Sequence, residues 1–197
     1  DEAQAVVTWI KNQRENNHAI YKAVLPDTDA DYECIINMTT GECDLGDDAH
    51  TKLNAAQMCS RIAGLIAGTP MKISCTYAPL TELADCARLT REEGDAAIDA
   101  GKFILIHDGQ KVKVGRGINS FVTTIDGKGT AFQKIKIVEC MHMMEQDIRK
   151  TAEDSYIGKY PNSYDNKCLL MTAIDGYLEQ LAGDDLIAAG WTVEINL

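Results

Sequence analysis

The stretch Gly101–Thr123, GKFILIHDGQKVKVGRGINSFVT, decides the fold class, because it carries the strongest hairpin signal in the chain. Phe103–His107 (FILIH) and Lys111–Val114 (KVKV) are strand-like runs on either side of Asp108-Gly109, a turn dipeptide that tolerates the positive φ of a tight reversal. Just upstream, Thr90-Arg-Glu-Glu93 matches a capping box, and Ala96, Ala97, Ile98 and Ala100 carry a short helix to Gly101. Downstream, Gly115-Arg-Gly117 reads as a bend, Ser120–Thr124 as more strand, and Asp126-Gly127-Lys128-Gly129 as a second turn. The Lys/Ile alternation of Gln133–Ile137 predicts a further strand. Two long helices follow. Met141, Met144, Ile148 and Ala152 share a stripe from about Val138 to Tyr156, and Tyr164, Cys168, Met171, Ile174, Leu178 and Leu181 share another after Pro161.

Working toward the N-terminus, Val6, Val7 and Ile10 recur at helical spacing and predict a helix to about Asn16. Ala19–Leu25 and Glu33–Met38 read as buried strands separated by an acidic loop. Leu53, Ala56, Cys59, Ile62, Ala63 and Ile66 predict a long small-residue helix from about Asp48 to Ala67, with Asp44, Asp47 and Asp48 supplying charge at its N-terminus. Met71–Tyr77 is expected to be extended, and Thr81–Cys86 to be a short helix. At the other end Trp191, Val193, Ile195 and Leu197 alternate with Thr192, Glu194 and Asn196 as a terminal strand. A strand of this kind pairs within its own sheet or adds to the sheet edge of a neighbouring subunit, and on physics alone the ordinary intramolecular edge strand is favoured. The fold class is therefore α/β, mixed α+β, in two packed units with sheets flanked by long helices. We expect residues 1–88 to form an outer α/β layer and residues 89–197 a hairpin-plus-helices core unit.

The chain has 197 residues, 19 Lys and Arg against 30 Asp and Glu, and a formal charge of −11. That acidity repels nucleic-acid backbones and anionic lipid surfaces, and the basic residues are scattered rather than clustered. The longest apolar stretch, around Ile62–Ala67, is far short of the ~20 residues that span a bilayer. Seven cysteines, none in a C-x-x-C pair, fit small buried hydrophobes in a reducing compartment.

Candidate chemistry is sparse. Asp27, Asp29 and Asp31 have the first three ligand positions of a calcium-binding loop, but Tyr32 stands where glycine is needed and Met38 where the bidentate glutamate belongs. Cys140, His142, Met143 and Met144 gather soft donors, yet only Cys140 and Met144 share a helix face. Gly115-Arg-Gly117 precedes strand rather than helix, so it lacks the context of a phosphate loop. No nucleophile elbow, zincin or Walker sequence occurs. The competing enzyme class is a cytosolic metal-dependent hydrolase using Asp27, Asp29 or Asp31 with His107, which requires those side chains to cluster. No catalytic residue, cofactor or metal ligand is assigned.

Gly101–Thr123 together with Phe132–Tyr160 (FQKIKIVECMHMMEQDIRKTAEDSYIGKY) and Tyr164–Leu181 (YDNKCLLMTAIDGYLEQL) closely resembles the contractile tail sheath proteins of bacterial myophages. The likeness is to sheaths of Firmicutes prophages and phage-tail-like bacteriocin particles. Val6–Asn16 (VVTWIKNQREN) and Ala55–Leu80 (AAQMCSRIAGLIAGTPMKISCTYAPL) extend it over nearly the whole chain. The resemblance implies a structural, non-enzymatic subunit. It implies partners as well: further sheath subunits in hexameric rings stacked as a helix, the tail tube they surround, and the baseplate at the tail end. It further implies terminal arms that exchange strands between subunits, so Trp191, Thr192, Val193, Glu194, Ile195, Asn196 and Leu197 are the strand-exchange candidates. The chain is expected to be a core fragment without those arms, monomeric by itself. Tube contact in the family runs through the C-terminal part, where Lys134, Lys136, Arg149, Lys150, Lys159 and Lys167 temper the acidity. The alternative of a binding adaptor of the same particle implies a single ring and never a tube.

Overall fold

The computed structural model describes residues 2–195. Its elements run α1 (Glu2–Asn17), β1 (Ala23–Pro26), β2 (Ile35–Met38), β3 (Cys43–Asp44), β4 (Lys52–Leu53), α2 (Ala55–Gly68), α3 (Arg91–Asp99), β5 (Lys102–Phe103), β6 (Leu105–His107), β7 (Val112–Val114), a 3-10 turn (Thr130–Gln133), α4 (Ile135–Ser155) and α5 (Tyr164–Gly183). This is the expected mixed α/β class.

A three-stranded parallel sheet of order β1-β2-β5 organises the first unit. Central β2 is buried along its whole length, and its alternation divides two cores. Ile36 and Met38 face the main cluster with Met58 and Ile62 of α2, Leu80, Phe103, Leu105, Val112, Val114 and Ile135. Ile35, on the other face, packs with Val7 and Ile10 of α1 and with Cys34. A near-continuous apolar strand such as ECIINM is what burial on both faces demands.

Phe103–His107 is expected as one strand but serves two sheets. Lys102 and Phe103 pair in parallel with Asn37 and Met38, whereas Leu105–His107 pairs antiparallel with Val112–Val114. Buried Ile104 is the changeover, and its carbonyl accepts from the Gly115 amide at 2.9 Å. The hairpin itself forms in the expected place, with the Asp108 carboxylate accepting from the amides of Gln110 and Lys111 at 3.0 Å.

Several expectations are corrected. The parallel sheet joins strands from both sides of position 88, and the chain divides into compact units at Val138/Glu139, so a boundary at 88 does not describe it. Residues Asp48–Asn54 are not helical: a β3–β4 hairpin occupies them, and α2 starts at Ala55, where Asn54 and Gln57 form a capping box. Gln133–Ile137 is not a strand. Its residues close a 3-10 turn and open α4, because Ile135 and Val138 at i and i+3 both reach buried positions, a spacing that only a helix puts on one face. Met71–Tyr77, Thr81–Cys86 and Ser120–Thr124 form turns and loops, their backbone groups paired individually instead of in ladders.

The second unit consists of α4 beyond Val138, α5 and the residues after it. Ser163 caps α5, its hydroxyl accepting from the Asn166 amide at 3.3 Å. Among the described residues of this unit only Cys140, His142 and Leu181 are fully buried. No helix among the described residues is long and apolar enough to cross a membrane.

Candidate functional site

The acidic loop joins β1 to β2, two parallel strands whose crossover is unusually short at residues 27–34. Its carboxylates do structural work. Buried Asn37 accepts from the Thr28 amide at 2.8 Å and donates to Asp29 at 2.8 Å. Asp31 accepts from the amides of Val122 and Thr123 at 2.7 and 2.9 Å. Those donors favour the charged form and hold its carboxyl below the ordinary aspartate range. Ser120 closes the loop, accepting from the Tyr32 amide and donating to the Tyr32 carbonyl at 3.0 Å. Lys11 donates to Ala30 O at 3.1 Å with its ammonium 5.2 Å from the Tyr32 ring centre. Asp27 and Asp31 both have positive φ, 43° and 44°, which aspartate tolerates better than most residues.

His107 is elsewhere, on β6, its Nδ1 accepting from the Gly109 amide at 2.9 Å. Among the described residues no three His, Cys, Asp or Glu side chains gather as a group that could hold a metal ion, so Asp27, Asp29 and Asp31 do not cluster with His107 as the hydrolase reading requires. Asp44 ends β3 and Asp47 lies in the turn of the β3–β4 hairpin, so neither is charge at a helix start. Asp44 accepts from the Gly46 amide at 2.8 Å and stands 3.1 Å from His50, while Asp47 accepts from Thr51 at 2.8 and 2.7 Å.

Two clefts are open to solvent. One of about 420 Å3 in the first unit is lined by Arg116, Lys134, Asp99, Thr130, Asn119 and Phe121. The other, of about 300 Å3 at the turn between α4 and α5, is lined by Tyr156, Ile157, Tyr160, Pro161, Lys167 and Leu170.

At the C-terminal end Trp191–Ile195 pairs with no strand among the described residues, although its alternation is that of a β-strand. Trp191 is tethered by its indole N–H to Asp175 at 2.7 Å. Asn196 and Leu197 lie outside the described residues. Much of the basic charge in this half is engaged locally: Arg149 with Glu145 at 2.8 Å, Lys150 with Asp154 at 3.7 Å, Lys159 with the Asp154 carbonyl, and Lys136 with the Lys72 carbonyl at 2.7 Å. Apolar side chains are instead left out: Met141, Ile157, Tyr160, Tyr164 and Leu169 are exposed on or beside the two long helices.

A family model for the phage tail sheath protein central domain matches residues 2–120, and one for the phage tail sheath C-terminal domain matches residues 127–197. The chain belongs to the phage tail sheath protein family. Sheath relatives agree along its length. The tail sheath protein of Clostridium phage phiCD119 is 41% identical over 196 residues, covering 100% of this chain and 54% of that protein. The solved sheath tail protein of Desulfitobacterium hafniense is 27% identical with a TM-score of 0.86, over 96% of this chain and 45% of that one. The helical sheath of the anti-feeding prophage in its contracted state shares the fold, with a TM-score of 0.71 at 18% identity over 96% of this chain and 53% of that one. The chain thus spans about half the length of the relatives it matches. These sheath relatives are structural proteins rather than enzymes, which removes the hydrolase reading of the acidic loop.

Proposed function

We propose that this chain is the core of a contractile tail sheath subunit, which polymerises as helically stacked hexameric rings around a tail tube and contracts to drive the tube through a bacterial envelope. The observation that carries the reading is membership of the sheath family across both matched domains. The contracted helical sheath of the anti-feeding prophage, which shares the fold, supports the contractile part. Its partners are further sheath subunits, the tube protein and the baseplate. It assembles in the bacterial cytoplasm and ends in the tail of a phage or bacteriocin particle.

Trp191–Leu197 is the proposed strand-exchange segment. An alternating sequence whose described residues, 191–195, have no ladder partner among the described residues is suited to completing a sheet in a neighbour. The exposed apolar side chains of α4 and α5 suit a unit whose faces are covered on assembly. Placing the C-terminal part of the chain toward the tube belongs to the same proposal. Rotation of compact bodies about flexible links is the motion contraction needs.

Negative-stain electron microscopy of the full-length parent protein, alone and with its tube partner, tests this. Hollow striated cylinders are expected, and deleting residues 191–197 is expected to abolish them while leaving the subunit folded. Single rings that never stack favour an adaptor, and dispersed particles under both conditions overturn the sheath assembly.

A further inference from the structure

The short strand β3 has a second neighbour besides β4. Asp44 and Asp85 are antiparallel bridge partners, with the Asp44 amide donating to the Asp85 carbonyl at 2.9 Å and the Ala87 amide to the Gly41 carbonyl at 3.3 Å. Between those two hydrogen bonds stand Cys43 on one strand and Cys86 on the other. Glu42, at φ 52°, absorbs the extra residue as a bulge. Residues bracketed by hydrogen bonds in this way approach to a Cα separation of about 4.5 Å, inside the ~4.4–6.8 Å that a disulfide spans. Opposed residues of an antiparallel pair project to the same face, and both thiols do belong to one buried cluster. Both are free, Cys43 at 0% exposure and Cys86 at 5%.

We propose that Cys43 and Cys86 form a disulfide when the folded protein meets a low-molecular-weight disulfide of the glutathione class. Cys86, the less buried of the two, attacks one sulfur of the oxidant as thiolate, and the first glutathione leaves and takes up a proton. Cys43 then attacks the Cys86 sulfur of the mixed disulfide, breaking its bond to the second glutathione, which leaves likewise. Two protein thiols lose two electrons and two protons, and one small disulfide becomes two thiols.

Burial raises both thiols, Cys43 to about 11, so exchange is slow near neutrality and quickens as pH rises. The crosslink closes residues 43–86 into a loop that contains β4 and α2. A subunit built in reducing cytoplasm and used outside the cell gains this staple only after release. That consequence rests on the sheath reading, whereas the pairing itself does not.

The test uses the intact sheath protein, folded, incubated with oxidised glutathione at alkaline pH, alkylated and digested without reduction. Mass spectrometry is expected to find the Cys43 peptide joined to the Cys86 peptide, with Tm raised by about 5–10 °C and restored by dithiothreitol. Recovery of both cysteines as alkylated or glutathionylated peptides, or bridged to other cysteines, overturns the proposal. Cys86→Ala is expected to show no oxidant-dependent rise in Tm; should it fail to fold, the parent protein's peptide map decides alone. A mapped bridge in a protein that never forms cylinders overturns the sheath assembly and leaves the pair standing.

Discussion

At Gly101 the backbone holds φ 73°, and a β-carbon there stands 2.9 Å from Val122 Cγ2 and 3.0 Å from the Ser120 carbonyl oxygen. Strain and overlap act together, so Gly101→Ala is expected to cost ~2 kcal/mol or more, read as a lower urea midpoint at unchanged slope. Asp31 makes a prediction in pH. Its carboxyl is more acidic folded than unfolded because the Val122 and Thr123 amides bind the anion. Such a group stabilises the fold above its unfolded value near ~3.9, and that contribution is lost as pH falls through the folded one. Asp31→Asn keeps a side chain that tolerates positive φ while removing the charge. It is expected to lower Tm at pH 7, with the gap to the parent narrowing as pH falls below the unfolded value of about 4. The spacing of Asp27, Asp29 and Asp31 was legible in the sequence but their work was not: it depends on donors roughly ninety residues downstream, at Val122 and Thr123.

Among the elements, α2 and α3 share one device with different legibility. The Thr90 box of α3 lies where Thr-x-x-Glu places it, with the Glu93 carboxylate accepting from the Thr90 amide at 2.8 Å. The α2 box uses Asn54 and Gln57, and reading Asp48 as the start overlooks it because residues 48–53 carry no helix breaker. Asn54→Ala is expected to cost ~1 kcal/mol, whereas Asp48→Ala, outside the helix, is expected to change chemical denaturation little. Ile62 on the same helix is fully buried in the main cluster, so Ile62→Ala is expected to cost ~2–5 kcal/mol by the same measurement. Elements whose period is set by their own sequence, α1, α4, α5 and the β6–β7 hairpin, were readable. Those set by neighbours were not: Phe103–His107 divides at Ile104 because β2 and β7 each claim one part of it.

Over the whole molecule, burial is uneven. The first unit holds both apolar clusters, and in the second only Cys140, His142 and Leu181 are fully buried among the described residues. Amide hydrogen exchange of the unassembled chain is expected to be slowest in β2, β6, β7 and α2 and markedly faster through α5. In assembled sheath, the α5 amides are expected to slow, because the proposed function covers their exposed apolar neighbours. Taken alone, the sequence determined the mixed α/β class, the hairpin, the long helices, the absence of a catalytic motif and, through Gly101–Thr123 and its companions, the sheath family. Those properties reside in local periodicity and in residue order. Tertiary structure alone decided that β1, β2 and β5 form one parallel sheet across position 88, that Gln133–Ile137 turns into helix, and that Asp44 bridges to Asp85. Each depends on a partner far away in the chain, and the free energy of burying or hydrogen-bonding that partner outweighs local preference.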